Sequence, residues 1–320
     1  MNKIYEIREQ IKAIYNAYSL FINPILKFIL TLSALLILNS KIGYMNILTN
    51  IAVVMVIALI SVFLPVTGTA LILSVVIAGN LYGLSLIAAA VVLFIFVLMY
   101  LVFFRFTPRY AIVLIIVPVL MFIGLPYVVP IIGALVSTPI IIIPIVLALI
   151  VYFILSTISM NAAELLILSK EDPITMVKVM LLDALKNEAL IVLIVAVVAV
   201  VVAVYVVRRL SIDYAPYIAI AAGVLLNLVI MLVGSIRFDL APHMTLVSII
   251  VGSLLSALIS VIAHFFIITV DYARTEFVQY EDDDYYYYVK AIPKIKVSAP
   301  EISVKRINAQ KAKRIKRDEN

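Results

Sequence analysis

Long apolar runs alternate with short polar interruptions along this chain, and the spacing of the two predicts its elements in turn. Ile4, Ile7, Ile11, Ile14, Tyr15 and Tyr18 recur at intervals of three and four, with Lys3, Glu6, Glu9, Lys12 and Asn16 between them. One apolar stripe beside one charged face predicts an amphipathic helix over 1–18 that lies in the headgroup plane or packs on a partner subunit. The segment is too charged for a cleaved secretory signal, and no small-residue cleavage site follows the first apolar run.

A crossing needs about 20 apolar residues, and single spans are predicted over roughly 19–38, 84–104, 139–158, 189–207, 215–234 and 246–270. Asn23–Pro24 predicts a kink early in the first, and Lys27 snorkels toward the surface. Residues 47–80 are apolar but broken by Pro65 and Gly68. Their length barely allows two crossings, and a membrane-embedded hairpin is the other option. Residues 160–188 are polar enough to lie at the interface. There Asp172–Pro173 is a good N-cap and first-turn pair, and Ile174, Val177, Leu181, Ala184 and Leu185 share one helical face.

The stretch 105–144 breaks this rhythm. It holds six of the thirteen prolines, Pro108, Pro118, Pro126, Pro130, Pro139 and Pro144, and no charge between Arg109 and Pro144. Each proline inside a helix removes a hydrogen bond and clashes with the preceding turn. Gly124 and Pro126 split the run into pieces too short to cross about 30 Å of hydrocarbon at 1.5 Å per residue. It is therefore either one broken crossing or a re-entrant hairpin, because irregular backbone at membrane depth survives only where protein buries it or a cavity borders it.

Composition fixes the class. Hydrophobic residues make up 66% of the chain and charged ones 13%, against about 45–50% and about 25% in soluble domains, and mean hydropathy is +1.23. The fold class is an all-α integral membrane protein of about eight crossings, divided as an interfacial helix at 1–18, a polytopic domain at 19–270 and a tail at 271–320. The net charge of +6 sits mainly in that tail, where eleven of the 24 Lys and Arg lie, so it does not point to nucleic acid. With 105–144 as a hairpin, 47–80 crossing twice and both termini inside, eighteen basic residues face the cytoplasm and five the exterior. Counting 105–144 as a crossing exports Arg208, Arg209 and the basic tail, against the positive-inside rule.

Chemistry is sparse. No Asp or Glu occurs between Glu9 and Glu164, none lies mid-span, and cysteine is absent. Intramembrane proton relays, proteases and metal-dependent transferases need such groups, so an enzyme is not expected. Neither is a cofactor, nor a metal site on His243 and His264. Candidate pathway or substrate-binding residues are Pro126, Tyr127, Pro130 and Gly133, which would leave carbonyls free toward a cavity, with Asn227 and His264 inside later spans. Each also has a packing reading: small residues allow close helix approach, and buried amides bond across helices. Asp239 and His243 read as a solvated loop pair.

The tail carries Glu281, Asp282, Asp283 and Asp284, then Tyr285, Tyr286, Tyr287 and Tyr288. Its β-branched and aromatic residues suit strand addition to a partner's sheet edge, and its basic end suits an anionic inner leaflet. EDDDYYYYVKAIPKIKV at 281–297, FRFTPRY at 104–110 and PYVVPIIG at 126–133 together resemble a family of uncharacterised polytopic membrane proteins of Gram-positive bacteria. The resemblance implies a bacterial plasma membrane and no particular activity. Two functions fit the residues: a permease- or channel-like subunit with the proline-rich hairpin lining its pathway, and a non-transporting scaffold that docks cytosolic partners through the tail. No nucleotide motif is present, so any energy comes from a partner or a gradient.

Overall fold

The computed structural model describes the backbone of residues 2–238, 240, 244–267, 276–281 and 286–291. It divides into two compact units, Leu20–Thr269 and a second formed by Met1–Ser19 with Val270–Asn320. Among the described residues the chain is all-α apart from one small hairpin in the tail. Among the described residues, six helices are long and apolar enough to cross a membrane.

Helix α1 (Asn2–Ile42) runs through the expected interfacial segment and the first span, and its one non-helical residue is Tyr18. The break thus falls where the charged face gives way to all-round apolarity, and Pro24, the expected kink, lies within continuous helix. After a short α2 (Asn46–Thr49) come α3 (Ile51–Phe63) and α4 (Val66–Tyr82), joined at Leu64–Pro65. At 13 and 17 residues these span about 20 and about 26 Å, less than the hydrocarbon core.

Helix α5 (Leu86–Met99) continues through a π-helical turn to Phe104. A 3₁₀ turn at Pro108–Tyr110 opens α6 (Ala111–Phe122), and α7 (Val128–Val136) follows. A second such turn, Pro139–Ile141, leads into α8 (Ile142–Met160), the most deeply buried of the crossing helices. Helices α9 (Ala162–Glu171) and α10 (Pro173–Lys178) fill the expected interfacial segment. The chain then enters α11 (Glu188–Val207), α12 (Ala215–Arg237) and α13 (Leu246–Ile267).

Polar contacts gather at two ends of the larger unit. At one end, Asn80 donates to Asn39 Oδ1 at 2.8 Å and Asn39 donates to the Leu48 carbonyl at 2.9 Å. Ser159 Oγ donates to the Lys41 carbonyl there at 3.0 Å, and Gly83 sits where a Cβ would be 2.6 Å from the Tyr44 carbonyl oxygen. Asn50, Ser85, Asp172 and Asn187 cap α3, α5, α10 and α11 through their side-chain oxygens. At the other end, Tyr110 and Ser137 share a hydroxyl bond of 2.7 Å, and Arg208 donates to the Leu135 carbonyl and, at 2.9 Å, to that of Ser137. Lys41, Lys170, Lys178, Lys186 and Arg237 belong to the first end, Arg105, Arg109, Arg208 and Arg209 to the second.

Between the ends the packing is apolar and close. Gly223 and Gly234 on α12 stand where an added Cβ would lie 2.5 Å from Val204 Cγ2 and Val192 Cγ1 of α11. The missing side chains let the two backbones approach, which is how helices associate in lipid without a hydrophobic drive. In the tail, β1 (Glu276–Glu281) pairs antiparallel with β2 (Tyr286–Ala291), Glu276 opposite Ala291 and Glu281 opposite Tyr286. The strand expected for a partner's sheet edge is thus paired within its own chain.

Replacing Gly223 by Leu forces α11 and α12 apart and is expected to cost about 1–3 kcal/mol, read as a lowered thermal midpoint in detergent. The Asp172 carboxylate accepts from the Ile174 and Thr175 amides and from Thr175 Oγ1, and the Thr175 bonds hold its pKa below the usual carboxylate value. A depressed pKa means the cap contributes above the ordinary carboxylate range and is lost as pH falls through the lowered value. Hydrogen exchange at Ile174 and Thr175 is expected to accelerate at that acid limit, and at all pH values in Asp172→Ala.

Candidate functional site: a cavity floored by a helix break

The break between α6 and α7 is built from its own sequence. Leu125 N–H donates to the Leu120 carbonyl at 2.8 Å and Gly124 N–H to that of Met121 at 3.1 Å. With Gly124 at φ +79°, this is a Schellman ending, which needs a residue comfortable in the left-handed region. Pro126 then bars any resumption of α6. Pro130 falls in the first turn of α7, where the amide N–H has no helical partner to lose.

This tip floors a cavity of about 410 Å³. Gly124, Pro126 and Tyr127 come from the tip, Tyr152, Ser156, Ser159 and Met160 from α8. Lys41 of α1 and Ser248 of α13 complete its polar lining, with Met244 beside them. The Phe122 ring meets Tyr152 edge-on at 4.9 Å, and Lys41 Nζ stands 6.0 Å from the centre of the same Phe122 ring. Tyr152 lies eight residues before the end of α8, so the tip sits about 12 Å below that end. The space above it is the cavity.

Two contacts join the tip to the last helices. Gly252 of α13 stands where a Cβ would be 2.7 Å from the Gly124 carbonyl oxygen, so a bare backbone is required for the tip to rest there. The Tyr127 hydroxyl interacts with the Asn227 side chain and points at Met244 Sδ, 3.9 Å away. Asn227 Nδ2 in turn donates to Ser253 Oγ at 3.0 Å. Tyr127, Asn227 and Ser253 are all buried, so a polar chain leads from the cavity floor into the seam between α12 and α13.

The other candidates fall elsewhere. Pro130 is buried, and Gly133 packs so that a Cβ would meet Ile141 Cδ1 at 2.5 Å. Both serve the close fit of α7 rather than the cavity lining. His264 is buried near the opposite end, its ring edge-on to Tyr217 at 4.9 Å. Residues Asp239, His243, Asp282, Asp283, Asp284 and Tyr285 lie outside the described residues. For Glu281, Tyr286 and Tyr287 only the backbone is described, and Tyr288 is exposed. Ser156, Ser159 and Ser248 were not singled out from sequence, since isolated serines in apolar runs are common and only the fold gathers them; Gly252 reads from sequence as a small residue for close packing, and its partner is the Gly124 carbonyl. Among the described residues, no group of three or more His, Asp or Glu could hold a metal ion.

Fold and site together define a polytopic α-helical membrane protein with an open, partly polar cavity at a helix break. Comparison with protein-family models, with curated proteins and with solved structures returned no match for the chain.

Two substitutions separate the backbone demand from the packing demand. Gly124→Ala meets nothing within 4 Å, so only its φ is penalised, by about 1–2 kcal/mol. Gly252→Val drives side chain into the tip backbone and is expected to cost about 1–3 kcal/mol and to close the cavity. Thermal midpoints of the two variants in the same detergent check that order.

Proposed function

We infer that this chain is a permease- or channel-like subunit that passes a small hydrogen-bonding solute across the plasma membrane, with the α6–α7 hairpin lining the pathway. The observation that carries this reading is the tip at Gly124–Tyr127, a broken backbone about 12 Å below the end of α8 that faces a partly polar cavity. Irregular backbone is tolerated there when it borders such a space. The cavity lining holds no carboxylate and Lys41 is its charged member, so nothing there holds a cation, and its serine, tyrosine and backbone groups suit a small hydrogen-bonding solute.

In this reading both short helix pairs are half-membrane hairpins entering from opposite faces. The α6–α7 pair enters from the end carrying Arg105, Arg109, Arg208 and Arg209, which the positive-inside rule makes cytoplasmic. The α3–α4 pair enters from the exterior. Its tip carbonyls at Val62 and Leu64 accept from Lys27 Nζ, and Lys27 lies fifteen residues before Ile42, about 22 Å down α1 from the outer end. Six crossings with two hairpins keep both termini inside, the same sidedness that eight crossings with one hairpin would give.

Cysteine labelling tests this without background, since the natural chain has none. Pro126→Cys and Ser159→Cys are expected to react with a membrane-impermeant thiol reagent added outside intact cells, and Arg109→Cys only after the inner face is opened. A Pro126→Cys chain unreactive from either face would mean a sealed tip and would sink the pathway reading.

A second reading has its own support. A lone two-stranded hairpin is marginal in water, so β1 and β2 suit a sheet or surface supplied by a partner. A scaffold role predicts that partners recovered with the full chain in mild detergent disappear when it is stopped after Val270. Identical recovery from both chains would count against it.

A further inference from the structure

We propose that the buried face of α13 holds a file of water molecules running from the cavity floor toward the cytoplasmic end. What the file serves rests on the pathway reading, but its existence does not.

Gly252, Ser253, Ser256, Ser260 and His264 are all buried and, at 100° per residue, fall within about 120° of the helix circumference. Leu254 and Leu258, on the far side, are 58% exposed and face lipid. Ser253 Oγ is occupied by Asn227. Ser256 Oγ, Ser260 Oγ and His264 Nδ1 have no hydrogen-bond partner in the protein.

That is unusual within this same chain. Ser61, Ser74, Ser235 and Ser248 each return their hydroxyl to a carbonyl three or four residues earlier, the ordinary solution for serine in an apolar helix. Ser256 and Ser260 sit in equally regular helix and do not take it. Buried polar groups in native proteins are nearly all satisfied, and ordered water supplies what protein does not.

The spacing fits water. From Ser253 to Ser256, Ser260 and His264 the steps along the axis are about 4.5, 6 and 6 Å, close to two successive hydrogen bonds of about 2.8 Å through one bridging molecule. The file begins at the Tyr127–Asn227–Ser253 chain on the cavity floor and ends where His264 meets Tyr217. From Ser248 to His264 it covers about 24 Å of the hydrocarbon thickness. No fully buried charge adjoins it among the described residues of the larger unit, so the partners of Ser256, Ser260 and His264 in the file are water molecules.

The test uses single cysteines in the full-length chain, reconstituted in liposomes and treated with a small thiolate-selective methanethiosulfonate. A thiol ionises only where water reaches it, so Ser256→Cys and Ser260→Cys are expected to react at least about tenfold faster than Leu254→Cys and Leu258→Cys. Equal rates at the four positions would overturn the file. Ser248→Cys separates the two claims. If it reacts while 256 and 260 do not, the file is lost and the cavity reading stands. If 256 and 260 react while 248 does not, the file stands and the cavity reading is lost. Hydroxyl-radical footprinting of the unsubstituted chain covers any variant that misfolds. His264 is expected to oxidise well above lipid-facing Phe266, and protection of His264 to the Phe266 level overturns the proposal.

Discussion

Inside a bilayer every backbone N–H and C=O has to find its partner within the protein, and the architecture of this chain follows from that constraint. Among the described residues, six helices are long and apolar enough to meet it in the simple way, by running the full thickness. The two short pairs meet it at their breaks. At Gly124 the chain folds its own amides back onto Leu120 and Met121. At the end of α7, Arg208 reaches in to take the carbonyls of Leu135 and Ser137. At the α3–α4 tip Lys27 does the same for Val62 and Leu64. Each cation binds the carbonyl end of a short helix, where helix dipole and free carbonyls both favour positive charge. A basic side chain that looks expensive in an apolar run is what allows a helix to stop there.

Polar side chains obey the same logic at longer range. The caps Asn50, Ser85, Asp172 and Asn187 crowd one end, where four helices begin, and the other buried polar groups of the larger unit fall in two sets, one on α1, α3 and α4 that includes Ser61, Thr69 and Asn80, and one on α8, α12 and α13 that includes Ser156, Asn227 and Ser256. Tyr127 and Asn227 join the α6–α7 tip to the second set. A packed apolar bundle would use such groups sparingly, as isolated bonds between neighbouring helices. Here Tyr127, Asn227 and Ser253 form a connected set that starts at the cavity floor, which is more than isolated bonds between neighbouring helices.

Much of this was legible in the sequence. Hydropathy marked the six long helices, Asp172–Pro173 marked the α10 cap, and Gly124 with Pro126 marked the break in the proline-rich stretch, because these are local signals with local causes. The small-residue positions were seen but their roles were not separable. Gly124 is required for its backbone angle, Gly252 for the approach of that same tip, and Gly133 for Ile141, and only the tertiary partner tells these apart. Lys27 read as a snorkelling residue because its acceptors lie 35 and 37 residues away, beyond any periodicity. The length of 47–80 left a hairpin as the other option beside two expected crossings, and α3 and α4, at 13 and 17 residues, are each shorter than a full crossing. In the tail, strand character was visible, while the choice of β1 as partner depends on register.

The paired-hairpin architecture depends on how deep the two tips lie. Spin labels at Val66→Cys and Ile123→Cys, in the full-length chain in liposomes, report depth through the balance of collisions with oxygen and with a water-soluble nickel chelate. Both labels are expected to lie within the bilayer, Val66 about 10 Å inside the cytoplasmic boundary, taking α1 to cross from Leu20. A Val66 label fully exposed to the chelate at the cytoplasmic face would mean that α3 and α4 cross the membrane, and the paired-hairpin account would be contradicted.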